Sequence, residues 1–116
     1  MSKMMKIKRA RWEKRWDDPN DAKACPFCGR YMTEAVQHHI IPRSVTNRKH
    51  PAQWLNDERN LLDVCFGCHD EGVVVEGREG RLNLHTKLGK KLCCEKQKEL
   101  HSDWDMGVRP WGAVLV

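Results

Sequence analysis

The stretch CPFCGRYMTEAVQHHIIPRSVTNRKHPAQWLNDERNLLDVCFGCH, residues 25–69, carries nearly all the recognisable chemistry of the chain. It opens on Cys25-Pro26-Phe27-Cys28-Gly29 and closes on Cys65-Phe66-Gly67-Cys68-His69. Each end is a C-x-x-C turn. Two such turns, separated by 36 residues, can bring four thiolates to one tetrahedral zinc. Gly29 and Gly67 read as the positions that let the backbone wrap a metal. A single turn would leave a redox pair open. Two in one short chain point to a closed structural site that staples a domain with little core of its own.

Between the turns, Thr33 to Ile41 is rich in β-branched residues and ends at Pro42, which predicts a strand. Neighbouring strand residues face opposite ways, so His38 and His39 are not expected to be equivalent ligands of one ion. One ligand and one base is the more natural division of labour. His69 directly follows Cys68, so the zinc turn itself fixes where that imidazole points. Leu61 to Val64 is a short apolar run leading into the second turn. Trp54 and Leu55 are expected to anchor the polar loop that holds Arg43, Arg48, Lys49 and His50.

Outward from this stretch, the 116 residues amount to one small domain. Mean hydropathy is −0.74, and no apolar run is long enough to span a bilayer. Residues 1–11 lack the apolar stretch of a secretory signal. The expectation is therefore a cytoplasmic chain with no membrane contact, where paired cysteines bind metal rather than form disulfides. Net charge is +5, which suits a polyanionic partner. Lys3, Lys6, Lys8, Arg9, Arg11, Lys14 and Arg15 stand against Glu13 alone, so the whole excess lies in the first 16 residues. Residues 3–16 are predicted to form a basic helix, with Trp12 and Trp16 on one face docking it on the core, ended by Asp17-Asp18-Pro19. Gly72, Gly77 and Gly80 around Val73-Val74-Val75 predict a loop or hairpin. Leu84, Leu88, Leu92, Leu100 and Trp104 predict a helix over 84–104 despite Gly89, with Cys93 and Cys94 simply part of it. Residues 106–116 read as an extended tail. His50 and His101 read as surface residues.

Cys25-x-x-Cys28, His38-His39-Ile40-Ile41-Pro42, Asn60-Leu61-Leu62 and Cys65-x-x-Cys68-His69, in that order, resemble the zinc-containing HNH endonucleases. The eight residues between Asn60 and His69 fit that family's spacing. The resemblance covers residues 25–69, well under half the chain. It implies a small α+β fold: a ββα-metal (His-Me finger) core stapled by a four-cysteine zinc site, with flanking helices. On that basis residues 1–18 are a basic arm, 19–83 the nuclease core, and 84–116 a C-terminal helix and tail.

The resemblance also assigns roles by position. His38 stands at a metal ligand, His39 at the general base, Asn60 at the residue orienting that base, and His69 at a second ligand. Two imidazoles leave positions for water and phosphate on a divalent ion, whether Mg, Mn, Ni, Co or Zn. After His69 the chain departs from the family, since Asp70-Glu71-Gly72 follows where a helix with Lys or His is common. A third ligand would come from Asp70 or His85. The expected substrate is DNA, with Arg43, Arg48 and Lys49 on the phosphates and the basic arm adding affinity. Similar small proteins occur in phages, beside packaging machinery that delivers DNA, and as restriction or homing enzymes. The competing reading is a catalytically silent, zinc-stapled module for nucleic-acid binding or assembly.

Overall fold

The computed structural model describes residues 13–18, 20, 22–42 and 52–115. Its centre is an antiparallel pair, β4 (Glu34–His39) with β5 (Leu61–Val64), in register His38 with Leu62 and His39 with Leu61. Alternation along β4 buries Val36 and His38 on one face, while Gln37 and His39 stay half-buried on the other, where Ala35 is covered as well. The expected strand is thus present, and Leu61 to Val64 is its partner.

β1 (Glu13–Arg15) pairs with the outer edge of β4, giving a three-stranded sheet in the order β1-β4-β5. This overturns the helix expected there: residues 13–16 are extended, and the rest of that helix lies outside the described residues. Exposure alternates with period two, so Lys14 and Trp16 are half-buried and Glu13 and Arg15 exposed. The four-residue spacing of Trp12 and Trp16 suits a helix. Pairing with β4, ion pairs from Lys14 to Asp63 and from Arg15 to Glu34, and a bond from Trp16 N–H to Thr33 O select the strand instead. Trp16 does pack against the core, as expected. A boundary at residue 18 cuts through this sheet.

β2 (Lys23–Ala24) and β3 (Tyr31–Met32) form a small hairpin around the first C-x-x-C turn. A bond from Cys25 N–H to Arg30 O at 2.8 Å closes it. Gly29 sits there at φ +77°, the left-handed region glycine enters freely. Past Pro42, Arg43, Arg48, Lys49 and His50 fall outside the described residues. The chain resumes in α1 (Ala52–Leu55), where Leu55 is buried but Trp54 is exposed, so leucine alone anchors this end of the loop. A 3-10 turn (Glu58–Asn60), capped by Asp57, feeds β5.

α2 (Phe66–Asp70) follows β5 directly and packs against β4. Cys65 is its N-cap, its sulfur accepting from Cys68 N–H at 3.4 Å. Gly67 is an ordinary helical residue, not the backbone-wrapping position expected of it. β6 (Val73–Val74) and β7 (Arg81–Leu82) form the expected hairpin.

The long helix α3 runs Lys87–Leu100 from a Thr86 cap. Its leucine stripe is not the buried face: Leu88 and Leu100 are exposed, and Leu84 is buried but precedes the helix. Gly89, Cys93, Cys94 and Gln97 face inward. Gly89 is there because a Cβ would sit 2.3 Å from the Asn83 carbonyl oxygen and 2.6 Å from Leu84 Cα. Cys93 and Cys94 are thus core residues, and no disulfide joins them.

The tail is not extended throughout. α4 (Trp111–Leu115) turns back to bury Trp111 against the end of the core, with the Arg59 guanidinium over its ring at 4.2 Å. His101, half-buried, stacks on Trp104 at 3.7 Å. The result is a small α+β fold. No helix among the described residues is long and apolar enough to cross a membrane.

Candidate metal centres

The two C-x-x-C turns meet. One rides the β2–β3 hairpin and the other starts α2, and the four sulfurs lie within 4.8 Å of one another. Cys25 Sγ is 3.8 Å from Cys68 Sγ, and Cys28 Sγ is 3.6 Å from Cys65 Sγ. Four sulfurs about 2.3 Å from a central ion stand about 3.8 Å apart, so the spacing is that of a tetrahedral thiolate site. Cys25, Cys65 and Cys68 are buried, while Cys28 is exposed.

Burial pushes the Cys65 and Cys68 thiols up, since an isolated thiolate would lose its solvation. Cys28 moves the other way, to about 7, chiefly through the Arg30 backbone N–H and then through its neighbouring sulfurs. The buried Cys65 and Cys68 sulfurs give up their protons readily only when a cation compensates the charge. The cluster can therefore hold a structural metal ion.

A second cluster also draws a residue from α2. His38 projects from β4 into the interior, His69 from the last turn of α2, and His85 from the turn before α3. The ring centroids are 5.3 Å (His38–His69), 4.9 Å (His38–His85) and 5.4 Å (His69–His85) apart, all edge to face. One nitrogen from each lies within 4.8 Å of the others.

His38 is 1% exposed, and neither ring nitrogen has a hydrogen-bond partner among the described residues. An unpartnered buried polar group costs about 1–3 kcal/mol, so two on one ring call for an explanation. The three imidazoles lie close enough to hold one ion between them, and such an ion would supply it. Burial, then the charges of His85 and His69, lower the His38 pKa to about 3, which keeps its lone pair available at neutral pH. Burial lowers His85 as well.

Local structure fixes each ring. His69 Nδ1 is 2.9 Å from Asp70 Oδ1, which leaves Nε2 for the cluster. Of the two candidates for third ligand, His85 is in the trio and Asp70 instead braces His69. His85 sits on a turn in which Asn83 Oδ1 accepts its backbone N–H at 2.8 Å, and Thr86 Oγ1 then caps α3 on Gly89 N–H. Its ring thus comes from beyond residue 83, where the core was expected to end.

His39, one residue on from His38, faces the opposite way and is half-buried, with Nε2 3.3 Å from Asn56 Oδ1. Asn60 does not touch this ring, contrary to the orienting bond expected. It is fully buried, and its amide makes three bonds to main chain. Oδ1 accepts from Ile41 N–H at 2.7 Å, while Nδ2 donates to Ile41 O at 3.1 Å and to Leu55 O at 2.7 Å. Asn60 thus clamps the backbone leaving β4 to the end of α1. Any effect on His39 travels through that backbone.

Gln97 is a support that sequence reasoning missed. Its Nε2 reaches from α3 to the carbonyls of Glu58, Arg59 and Leu61, at 3.0, 3.3 and 2.7 Å. Nothing in its sequence neighbourhood distinguishes it from a solvated helix glutamine, except that it lies four residues after Cys93.

A scan of protein-family models, a search of curated proteins and a search of solved structures each returned no match for this chain.

Proposed function

We propose that the protein is a metal-dependent endonuclease of the HNH type, hydrolysing phosphodiester bonds of DNA. One observation carries the reading. His38 is buried with both nitrogens unpartnered inside a trio of imidazoles, while the next residue, His39, turns its ring to the other face of the strand. Zinc stapling by cysteines alone requires neither feature. The succession β4, β5, α2 then corresponds to a ββα-metal core, with the four-cysteine cluster as its structural zinc site.

His38, His69 and His85 would hold one divalent cation and leave further positions open. That cation supplies charge neutralisation at the phosphate and at the departing O3′. Three nitrogen donors suit Ni, Co or Zn far better than Mg, which prefers oxygen. His39 accepts a proton from the attacking water as the bond from water oxygen to phosphorus forms. The P–O3′ bond breaks, and the O3′ oxygen takes a proton from solvent. Asn60 holds the strand end that carries His39, and Asp70 holds His69 in the tautomer that exposes Nε2. Arg43, Arg48 and Lys49, next along the chain, are assigned to phosphate contacts that give affinity without sequence preference. A partner that delivers DNA, such as packaging machinery, and a cytoplasmic setting belong to the same proposal.

The test is nicking of supercoiled plasmid by wild type and His39→Ala across Mg, Mn, Ni, Co and Zn, with EDTA as control. Zinc content and folding are verified in both proteins. Cutting strongest with Ni, Co or Zn and lost in a folded, zinc-loaded His39→Ala supports the reading. Salt-sensitive DNA binding without cutting would instead indicate the silent binding module.

A further inference from the structure

The four clustered sulfurs are not equally protected. Cys25, Cys65 and Cys68 are buried, but Cys28 is exposed. It lies in the turn between β2 and β3, next to Gly29. Its sulfur is 3.6 Å from Cys65 Sγ, on the second turn, while Cys25 Sγ lies 3.8 Å from Cys68 Sγ. Both contacts join the hairpin to α2. Cys65 also lines an open cleft of about 310 Å³, together with Arg30, Tyr31 and Phe66. A small solute has room there, since a water molecule takes up about 30 Å³ in the liquid.

Cys25 is held differently. Its backbone N–H bonds Arg30 O at 2.8 Å and its carbonyl accepts from Gly29 N–H at 2.9 Å. That fixes its buried sulfur on the Cys68 side of the cluster. Cys93 and Cys94 are fully buried in α3, out of reach of a solute.

A sulfur that ligates a cation is a thiolate, the form that reacts with oxidants, so exposure decides which of the four reacts first. Resting on zinc at the four-cysteine site, and not on the nuclease reading, we infer that Cys28 is a site of oxidation by hydroperoxides. The outcome is a Cys28–Cys65 disulfide and release of the ion. In the first step the Cys28 sulfur attacks one peroxide oxygen, the O–O bond breaks, and hydroxide leaves. Cys28 is then a sulfenic acid. In the second step the Cys65 thiolate attacks the Cys28 sulfur, the S–S bond forms, and a second hydroxide leaves. Two thiolates have given up two electrons, and the peroxide has taken both. The sulfurs close from 3.6 Å to about 2.05 Å. The two sulfurs left, on Cys25 and Cys68, no longer make a closed tetrahedral site.

The experiment treats zinc-loaded full-length protein with hydrogen peroxide. Zinc release is followed by a chromogenic chelator, against the same protein without peroxide, so that zinc the chelator strips from the histidine trio is subtracted. Remaining thiols are alkylated and the tryptic peptides mapped by mass. One zinc released for every two thiols lost is expected. Residues 24–30 should be joined to residues 60–78, with fragmentation placing the bridge on Cys28 and Cys65 while Cys93 and Cys94 stay reduced. Cys28→His keeps a donor for zinc but removes the exposed thiolate. It should hold zinc and release it at least about 10-fold more slowly under peroxide.

A first product bridging Cys25 to Cys28, or Cys25 to Cys68, would overturn the inference. So would zinc release while Cys28 is still reduced, or equally fast release from zinc-loaded Cys28→His. Should Cys28→His fail to take up zinc, the wild-type peptide map decides alone. Wild type with no zinc on its cysteines would overturn both this inference and the staple, and would leave the plasmid-nicking test of the nuclease reading untouched.

Discussion

Replacing Asn60 with leucine removes a buried amide that bonds three main-chain groups: Ile41 N–H, Ile41 O and Leu55 O. The shape is nearly kept, so little cavity forms, and the loss is in polar satisfaction. Each orphaned group costs about 1–3 kcal/mol when it stays dry. The three share one site and relax together, so simple addition overestimates the total. We expect Asn60→Leu to lose about 3–4 kcal/mol, a large part of the roughly 5–15 kcal/mol that holds a domain folded. The assay is urea unfolding of the zinc-loaded protein, followed by tryptophan fluorescence.

Asn60→Asp sharpens the test. It keeps an acceptor for Ile41 N–H but turns a carboxylate oxygen towards two carbonyls, which raises the folded-state pKa of that aspartate. The folded protein then binds the extra proton more tightly than the unfolded chain. Stability of Asn60→Asp should therefore fall as pH rises above about 4, until the raised pKa is passed. A loss under about 1 kcal/mol in Asn60→Leu, or a flat pH profile in Asn60→Asp relative to wild type, would refute the clamp.

Gly89→Ala should destabilise by about 2 kcal/mol or more, because its Cβ meets the Asn83 and Leu84 backbone, even though alanine gains about 1 kcal/mol of helix propensity. The displaced turn carries His85, so cobalt binding at the histidine trio should weaken with it, read by visible absorption. In protein free of metal at that trio, His38 stays neutral down to about pH 3 while the unfolded chain protonates it below about 6.5. The unfolded state then binds more protons, so stability falls by up to about 1.4 kcal/mol per pH unit below pH 6.5 and is level above it. A His38→Leu variant should lose that slope in urea titrations run from pH 7 to pH 5. Cys68→Ala should bind no zinc and show no cooperative thermal transition by circular dichroism. A folded, cooperative Cys68→Ala would disprove the staple.

The sheet core and the four-cysteine cluster were legible because their signals are local. β-branched residues ending at Pro42 mark β4, and two C-x-x-C turns need only one ion to meet. The opposite facing of His38 and His39 followed from strand alternation. β1 was misread because pairing with β4 outweighs a four-residue tryptophan spacing. The buried face of α3 was misread because Gly89, Cys93 and Gln97 pack inward where a leucine stripe invited attention. His85 stood only as one of two candidates, because its place depends on how α3 folds back on the sheet. The roles of Asn60 and Gln97 as main-chain clamps lie in contacts between segments that no local pattern encodes.

Cys68 and His69 are neighbours on one five-residue helix, and this adjacency would tie two occupied centres into a single equilibrium. With an ion at each centre, ordering of α2 by the thiolate site would set the direction of the His69 ring, so the first ion would raise the affinity of the imidazole trio for the second. Linkage is reciprocal: whatever factor the sulfur-bound ion contributes to the histidine site, occupancy of the histidine site returns to the sulfur-bound ion. A chelator should therefore strip the cysteine site more slowly from protein loaded at both centres.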